Sequence, residues 1–489
     1  MGRELNNQIV AASKWSVLSE IVAKLVTPIT SMILARLLTP EAFGVVATIS
    51  MITTFAEIFT DAGFQKYLIQ HEFKDKEDLY FTTNVAFWSN LAMSVFIWLI
   101  IILVREPLAT MVGNPGLGNV VAIACVAIPI AAFSSIQMAL YKRDLNYKIL
   151  FRVRLVGIMI PIFVIIPLAL IFKNFWALVI GDIIRASVLA VLLTYYSKWK
   201  PKLVYSFKKL KEMLSFTIWS MIEAVSIWLT NYVDVFLVGT MLSQYYLGLY
   251  KTATSTVGLI MGLVTSATTP ILFASLSRLQ DDDAAFKTLF FKFQKIVGIL
   301  VVPLGVGIFC YSDVVTSILL GAQWMEAAKF IGLWGLTSSL MIVLAHYSSE
   351  VYRAKGKPRV SVLAQWLHII VLWPTVIIAI RYGFEVLYTA RALVRLEGIL
   401  VNMILMYILV NISPRMMFKN ILPSCIAALA MLVVSYLLNL FMPGTLLWRI
   451  VQALLSASVY IVIIMMFPTE KKVIQGFYKQ TIEKYLKKQ

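Results

Sequence analysis

Charged residues are scarce in this chain of 489 residues. Asp, Glu, Lys and Arg together make up 14% of the sequence, against about 25% in an average soluble domain. Apolar residues make up 60%, and the mean hydropathy is +0.83. Because soluble domains rarely exceed about 50% apolar residues, this composition excludes that class and indicates an integral membrane protein.

Cysteine and histidine are also scarce, with three residues of each type. Cys125, Cys310 and Cys425 lie in apolar runs without the spacing of a metal site or a disulfide framework. The sequence also lacks a phosphate-binding P-loop and the G-x-S-x-G motif of serine hydrolases. We therefore expect no catalytic residue, no metal and no cofactor, and we predict that the chain is not an enzyme.

The apolar residues fall into fourteen runs, each long enough to cross a hydrocarbon core of about 30 Å as a helix. The runs cover residues 15–37, 41–61, 82–105, 117–140, 152–172, 175–196, 213–238, 247–272, 289–311, 328–350, 360–380, 384–410, 420–441 and 445–467. The sequence thus predicts an all-α integral membrane protein with about fourteen transmembrane helices.

Basic residues outnumber acidic ones by 43 to 25, which gives a net charge of +18. If the N-terminus is placed inside, 32 of the 43 lie on the cytoplasmic side with the span ends included, six lie on the outer side, and five remain deeper within spans. This alternation follows the positive-inside rule and predicts cytoplasmic N and C termini. The positive charge therefore reflects membrane topology, and no nucleic-acid partner is expected.

The sequence repeats itself at the scale of half the chain. ARLLTPEAFGVVATIS (35–50) aligns with GTMLSQYYLGLYKTAT (239–254) at an offset of 204 residues. Internal duplication of this kind is common in transporters. It predicts an N-lobe of six helices at 1–196, a C-lobe of six helices at 213–410, two further helices at 411–467, and a short amphipathic cytoplasmic helix in the tail at 468–489.

A basic linker at 197–212, SKWKPKLVYSFKKLKE, separates the two predicted lobes. Its lysines alternate with Trp199, Tyr205 and Phe207, which is typical of segments that lie along an anionic membrane surface. A plain solvated basic loop would have the same composition, so the sequence leaves both interpretations open.

Five stretches carry a resemblance to a known family: ILARLLTPEAFG (33–44), DAGFQKYLIQ (61–70), VDVFLVGTMLSQYYLGLY (233–250), SLSRLQDDD (275–283) and RAKGKPR (353–359). They resemble the polysaccharide transporter family, the Wzx-type flippases of the multidrug/oligosaccharidyl-lipid/polysaccharide (MOP) superfamily. The resemblance extends over essentially the whole chain, including the arrangement of six, six and two helices.

The resemblance implies a flippase of the bacterial cytoplasmic (inner) membrane. Its substrate would be an undecaprenyl-pyrophosphate-linked oligosaccharide repeat unit, moved from the inner to the outer leaflet by alternating access around a central cationic cavity. The product would serve O-antigen, capsule or exopolysaccharide assembly, with membrane lipid, a polysaccharide polymerase and a chain-length regulator as expected partners.

The last spans of the two predicted lobes contain three arginines in total. Arg185 lies in the sixth span, and Arg391 and Arg395 lie in the twelfth. A charge inside the bilayer usually faces a protein interior or a water-filled path. Because the guanidinium fork binds two phosphate oxygens at once, we predict that they contact substrate and face each other across the cavity, with Asp182 and Glu397 as candidate counterions. Salt bridges that lock helices together would give the same pattern.

Four more intramembrane charges are candidates for function. Glu20 and Lys24 lie four residues apart in the first span, and we predict Lys24 as a phosphate contact with Glu20 as its partner; a plain intrahelical ion pair is the alternative. Glu223 and Asp234 in the seventh span are candidates for ion coupling, because intramembrane carboxylates often bind protons or sodium. A hydrogen-bonded structural carboxylate would look the same.

Other functions compete with this interpretation. A peptidoglycan-precursor flippase or a multidrug/cation antiporter of the same superfamily would share the fold, although buried arginines suit a drug antiporter poorly. A polytopic glycosyltransferase or polymerase would need a substantial outer loop or catalytic domain, for which the short loops leave no room. A non-transporting scaffold of the polysaccharide assembly complex would not need buried arginines in both halves.

Overall fold

The structure is a computed structural model that describes residues 2–61, 63–357, 359–441 and 445–476. Within these ranges, the side chains of residues 2–14, 16, 17, 60, 61, 215–220, 222, 223 and 441 are not described. All regular secondary structure in the described ranges is helical. The predicted all-α class is therefore confirmed.

In the described ranges up to residue 466, twenty α-helices are connected by short loops. They are α1 (Gly2–Leu37), α2 (Pro40–Asp61), α3 (Phe64–Gln70), α4 (Lys76–Leu103), α5 (Arg105–Met111), α6 (Gly118–Ala124), α7 (Ala127–Arg143), α8 (Tyr147–Ile160), α9 (Ile166–Phe172), α10 (Trp176–Tyr196), α11 (Phe207–Met241), α12 (Gln244–Ser277), α13 (Asp283–Cys310), α14 (Ser312–Leu319), α15 (Ala328–Met341), α16 (Ser348–Ala354), α17 (Arg359–Ala379), α18 (Phe384–Val410), α19 (Pro414–Phe441) and α20 (Leu446–Met466). Residues 468–476 are also helical, and the rest of the predicted tail helix lies outside the described residues.

Fourteen helical stretches in the described part of the chain are long and apolar enough to cross a membrane, as predicted. Ten are single helices, and four are composite: Gly118–Arg143, Tyr147–Phe172, Ala322–Ala354 and Arg359–Tyr382. Two composite spans contain a π-helical turn, at Pro161–Ile165 and at Ile342–His346. In the first, Pro161 has no N–H to donate and interrupts the α-helical hydrogen bonds. The cytoplasmic position of the termini stays a prediction.

Side-chain caps fix where several helices begin. The Asp75 carboxylate accepts a hydrogen bond from the backbone N–H of Asp78 at the start of α4 (2.8 Å). Asp282 accepts from the N–H groups of Ala284 and Ala285 at the start of α13. Acidic N-caps satisfy backbone donors that have no partner inside the helix, so these acidic turns have a structural role.

The sequence repeat reappears in the helix boundaries. α1 ends at Leu37 and α2 begins at Pro40; α11 ends at Met241 and α12 begins at Gln244, each 204 residues later (37 to 241 and 40 to 244). The two hairpins therefore have equivalent positions in the two copies, as the alignment predicts.

These two hairpins meet through glycines. A side chain on Gly44 would collide with the backbone of Gln244, and one on Gly248 would collide with the backbone of Pro40. Positions 44 and 248, like 40 and 244, are related by the offset of the repeat, so the contact is reciprocal. Only glycine allows this close approach of backbones.

Packing divides the chain into two compact units, Met1–Lys251 and Thr252–Gln489. In the first unit α1 packs on α8, α7 packs on α4 and α10, and α11 packs on α2; in the second, α13 packs on α15 and α19, and α17 packs on α18. The seventh span thus packs within the first unit. The predicted lobe boundary at 197–212 follows the repeat rather than the packing, and it stays a prediction.

The linker at 197–212 is neither free nor fully solvated. Trp199 is 4% exposed and packs against Phe87 of α4. The Trp88 indole donates to the Lys202 carbonyl, and the Lys202 N–H donates to the Asn84 side chain, both at 2.8 Å. The linker is therefore part of the first unit.

Polar contacts join the last span to the rest of the second unit. The Tyr460 hydroxyl donates to the backbone carbonyl of Ile299 (2.8 Å), and Arg449 forms a salt bridge with Asp313 (2.8 Å). Lys295 forms a salt bridge with Glu470, 3.0 Å long, just beyond α20. These contacts hold α20 against α13 and α14.

Candidate functional site

A cavity of about 720 Å³ lies within the first unit, among α1, α2, α7, α8 and α10. This volume lies within the range of about 300–1,000 Å³ typical of ligand pockets. Its wall combines apolar side chains with hydroxyls and charges. The charged lining residues are Glu57, Lys142, Arg154, Asp182 and Arg185, three basic and two acidic.

Arg185 and Asp182, both predicted site residues, lie in this cavity wall one turn apart on α10. Nε and Nη2 of Arg185 lie 3.0 and 2.9 Å from the same carboxylate oxygen, Oδ1 of Asp182. The two side chains are 45% and 54% exposed. The predicted counterion is therefore present, and the arginine is still accessible to a ligand.

A second ion pair joins two helices at the cavity. Arg154 of α8 donates to Glu20 of α1 at 2.7 Å, and both side chains are about half exposed. The sequence predicts Lys24 as the partner of Glu20, and this pairing is wrong because α8 packs against α1 and brings Arg154 to the carboxylate. Lys24 is half-buried, does not line the cavity, and has no ion pair with any residue that the structure describes.

Further polar groups line the cavity. Lys142 of α7 donates a long hydrogen bond to Gln65 of α3 (3.4 Å). The hydroxyl of Ser19 lines the cavity and is buried, with no hydrogen-bond partner among the residues that the structure describes. Ser50, Thr53, Thr54, Ser134 and Ser135 add further hydroxyls. A wall of this kind can bind an anionic, polyhydroxylated ligand, because it offers guanidinium and ammonium donors beside neutral donors and acceptors.

Arg391 and Arg395 occupy a different environment, inside the second unit. Both guanidinium groups lie over the indole ring of Trp334 of α15, at 5.1 and 3.9 Å from its centroid. Arg395 also donates to the Ser338 hydroxyl at 2.6 Å. The predicted shared helix face is therefore present, and it contacts an aromatic side chain that the sequence analysis misses.

The predicted counterion Glu397 bonds to a histidine. Its Oε2 lies 2.8 Å from Nδ1 of His368 on α17, and both side chains are mostly buried. Together with the arginines on Trp334, this contact ties α17 and α15 to α18. It stays a prediction that Arg185 and the arginines of the C-lobe face each other across one cavity.

The coupling candidate Asp234 is buried in the first unit. It is 5% exposed and accepts a 2.6 Å hydrogen bond from the Tyr250 hydroxyl of α12. A hydrogen-bonded structural carboxylate, the alternative reading of the sequence, has this geometry. The side chain of Glu223, the other coupling candidate, lies outside the described residues.

Arg154, Lys142 and Glu57 are the cavity residues that the sequence analysis misses. The positive-inside count assigns Lys142 and Arg154 to the cytoplasmic side, whereas α7 and α8 carry both into the cavity wall. A basic residue one turn inside a predicted span, facing an acidic residue of another span, is the signal that identifies such pairs.

Comparisons with known proteins agree with this architecture. A family model described as polysaccharide biosynthesis protein matches residues 33–329. The succinoglycan biosynthesis transport protein ExoT of Rhizobium meliloti (strain 1021) is 24% identical over 364 residues, which cover 72% of this chain and 70% of ExoT. The lipopolysaccharide biosynthesis protein WzxC of Escherichia coli (strain K12) is 19% identical over 326 residues, 65% of each chain.

The fold has a solved counterpart as well. The lipid II flippase MurJ, in an inward closed conformation, superposes with a TM-score of 0.75 at 15% identity and covers 96% of this chain and 99% of its own. The family match covers more than half of the chain, and the resemblance identified from the sequence motifs is confirmed. This multi-pass protein of the bacterial inner membrane thus belongs to the family of polysaccharide biosynthesis proteins, and it shares its fold with the lipid II flippase MurJ.

Proposed function

We propose that the protein flips an undecaprenyl-pyrophosphate-linked oligosaccharide from the inner to the outer leaflet for surface polysaccharide assembly. The observation that carries the proposal is the cavity of the first unit, where Arg154 and Arg185 are accessible and hydroxyls surround them. The family match, the similarity to the transport protein ExoT and the similarity to the lipopolysaccharide biosynthesis protein WzxC support transport in polysaccharide biosynthesis.

The pyrophosphate is assigned to Arg154 and Arg185. Each guanidinium has five N–H donors and engages its carboxylate through only one or two of them, so donors remain for phosphate oxygens. The sugar hydroxyls would then contact the Ser and Thr side chains of α2 and α7.

The two carboxylates keep the empty cavity close to neutral and compete with the ligand. A pyrophosphate carries more charge than Asp182 or Glu20, so it can displace the carboxylate from the guanidinium when it binds. Its release restores the internal pairs, which favours turnover over tight retention of the product.

Other predicted residues have separate roles in the proposal. Lys24 and Arg395 are proposed as further phosphate contacts during alternating access, and Arg391, only 9% exposed, is proposed to hold α18 against α15. Asp234 and Glu223 are proposed as coupling carboxylates; Asp234→Asn should abolish the stimulation of transfer by a proton or sodium gradient while leaving transfer without a gradient.

Reconstituted transport tests the substrate class. Purified protein in liposomes is given fluorescent undecaprenyl-pyrophosphate oligosaccharide, and an impermeant quencher reports how much has changed leaflet. We expect transfer well above that of protein-free liposomes, and higher than with the peptidoglycan precursor or with a cationic dye. Folded protein that transfers only the peptidoglycan precursor, only the dye, or nothing would overturn the proposal.

The expected partners follow from the product. An oligosaccharide delivered on its carrier to the outer leaflet must be consumed by a polymerase that joins repeat units, with a chain-length regulator acting on the same product. Cross-linking in native membranes, followed by identification of attached proteins, tests this part separately from transport.

A further inference from the structure

A second, smaller groove lies on the surface of the first unit, where α10 ends and the 197–212 linker begins. It has a volume of about 330 Å³ and is lined by Phe133, Ala190, Val191, Thr194, Tyr195 and Lys200. None of these residues lines the cavity assigned to substrate. No acidic side chain is among them, and Lys200 is the one basic residue.

The linker holds a fixed shape beside this groove. Its backbone is tied to α4 at Lys202 (to Trp88 and Asn84), and the Tyr205 hydroxyl lies 2.9 Å from that of Ser89. This anchoring leaves two large apolar side chains pointing outward, Leu203 at 88% and Phe207 at 78% exposed. A rigid segment that exposes large apolar groups is built to contact something apolar.

The charged residues from 198 to 208, beside the groove, are all positive. Lys198, Lys200, Lys202 and Lys208 are exposed, whereas Lys209 is engaged by Asp78 at 3.0 Å, and this contact raises the pKa of Lys209. Nζ of Lys200 donates to the backbone carbonyl of Thr194 and keeps two of its three N–H donors for another acceptor.

We propose that this groove and the lysines beside it form a binding site for an acidic glycerophospholipid. The headgroup phosphate would contact Lys198, Lys200 and Lys202. An acyl chain would lie in the groove along Phe133 and Val191, and Leu203 and Phe207 would enter the membrane interface. Charge complementarity selects an anionic lipid over a zwitterionic one, and the apolar groove selects a lipid over a soluble anion.

Lipid retention measures this site without any transport substrate. The full-length protein is purified from vesicles of equal phosphatidylglycerol and phosphatidylcholine content, and both lipids are quantified after a graded detergent wash. Lysines near an anionic surface contribute about fivefold each to binding. Lys200→Gln should therefore lower phosphatidylglycerol retention about fivefold, and the Lys198→Gln, Lys200→Gln, Lys202→Gln triple variant on the order of a hundredfold.

Matched variants separate this site from overall charge. Lys471→Gln with Lys472→Gln removes exposed lysines elsewhere in the sequence and should leave retention unchanged, whereas Leu203→Ser should lower it at constant charge. The proposal is overturned if the triple variant, folded by its unfolding temperature, retains as much phosphatidylglycerol as wild type. It is also overturned if the control pair loses as much, or if glycerol phosphate displaces the lipid and so identifies a site for soluble anions.

Discussion

The arginines of the two units differ in what surrounds them. In the first unit, Arg185 and Arg154 are about half exposed, and each is balanced by a carboxylate at 2.7–3.0 Å. In the second unit, Arg391 is 9% exposed and, with Arg395, lies against Trp334. A carboxylate can be exchanged for a phosphate, whereas an indole ring cannot leave its place in a packed helix interface.

The difference separates two uses of the same residue type. The exposed pairs contribute little to stability, because water and side-chain entropy offset most of the attraction. The stacked arginines are largely desolvated, and cation–π contacts are worth most under those conditions. The arginines of the first unit are therefore accessible to a ligand, whereas Arg391 and Arg395 connect α18 to α15 through Trp334.

The largest expected effect comes from removing the aromatic side chain of the second unit. Trp334 is buried, so Trp334→Ala should lower the free energy of unfolding by about 3–5 kcal/mol. Unfolding in detergent micelles measures this loss. Trp366→Ala, at a position 44% exposed on α17, is the matched control and should cost far less; equal losses would refute the assigned role of Trp334.

Transport should respond most strongly in the first unit. Arg185→Gln should slow leaflet transfer of the lipid-linked oligosaccharide about 10- to 100-fold, because it removes charge-assisted bonds to phosphate. Its unfolding temperature should stay near that of wild type, since the pair with Asp182 is exposed. Arg185→Lys keeps the charge but lacks the planar guanidinium fork, so its transfer rate should lie between those of wild type and Arg185→Gln. A wild-type rate for Arg185→Gln would show that Arg185 and its cavity do not bind the substrate.

The stabilisation from the ion pair of Lys295 with the buried Glu470 should depend on pH, unlike that from the exposed pairs of the cavity. Burial opposes ionisation of Glu470, which is 1% exposed, but hydrogen bonds from Thr469 and Lys295 outweigh it and hold the pKa of its carboxyl below the ordinary value of 4.5. A lowered pKa in the folded state stabilises the protein above the unfolded-state value, and this stabilisation is lost as the pH falls through the folded-state value.

Lys295→Met should therefore cost about 1.5 kcal/mol near neutral pH. This loss should shrink below about pH 4.5, where the carboxyl of the variant is protonated. Unfolding of both proteins between pH 3.5 and 7 tests the sign. A loss that is constant over this range would show that Lys295 acts through packing alone. Arg154→Met, at the exposed pair with Glu20, should cost less than about 1 kcal/mol.

The smallest effect is expected from the internal competitor. Asp182→Asn keeps a hydrogen-bond acceptor beside Arg185 but removes its charge, so the affinity for substrate should rise about threefold, within the range of an exposed ion pair. Equilibrium binding of the fluorescent carrier to the purified variant measures this change. A weaker affinity than wild type would show that Asp182 positions Arg185 for the ligand and does not compete with it.

The helices could be predicted because length and hydropathy fix each span independently of its neighbours. The equivalence of the two hairpins could also be predicted, since residues 35–50 and 239–254 align directly at an offset of 204. The partner of Glu20 could not, because Lys24 is its neighbour along the chain and Arg154 becomes its neighbour only when α1 packs on α8.

The environment of each arginine could not be predicted from the sequence either. Arg185 and Arg391 both occur within apolar spans, and nothing local distinguishes them. What decides their roles is the helix packed opposite, which places an open cavity beside one and Trp334 beside the other. Packing partners are set by the whole fold, so site residues are less predictable than spans.

Protection of the cavity wall by substrate tests the central claim most directly. In a variant without Cys125, Cys310 and Cys425, a cysteine at Ala186, which lines the cavity, is labelled with a maleimide, with and without the undecaprenyl-pyrophosphate oligosaccharide. Lys173→Cys, outside the cavity lining and exposed, is the control. The account predicts that the oligosaccharide slows labelling at position 186 and leaves position 173 unchanged; equal labelling rates at position 186 with saturating oligosaccharide would contradict it.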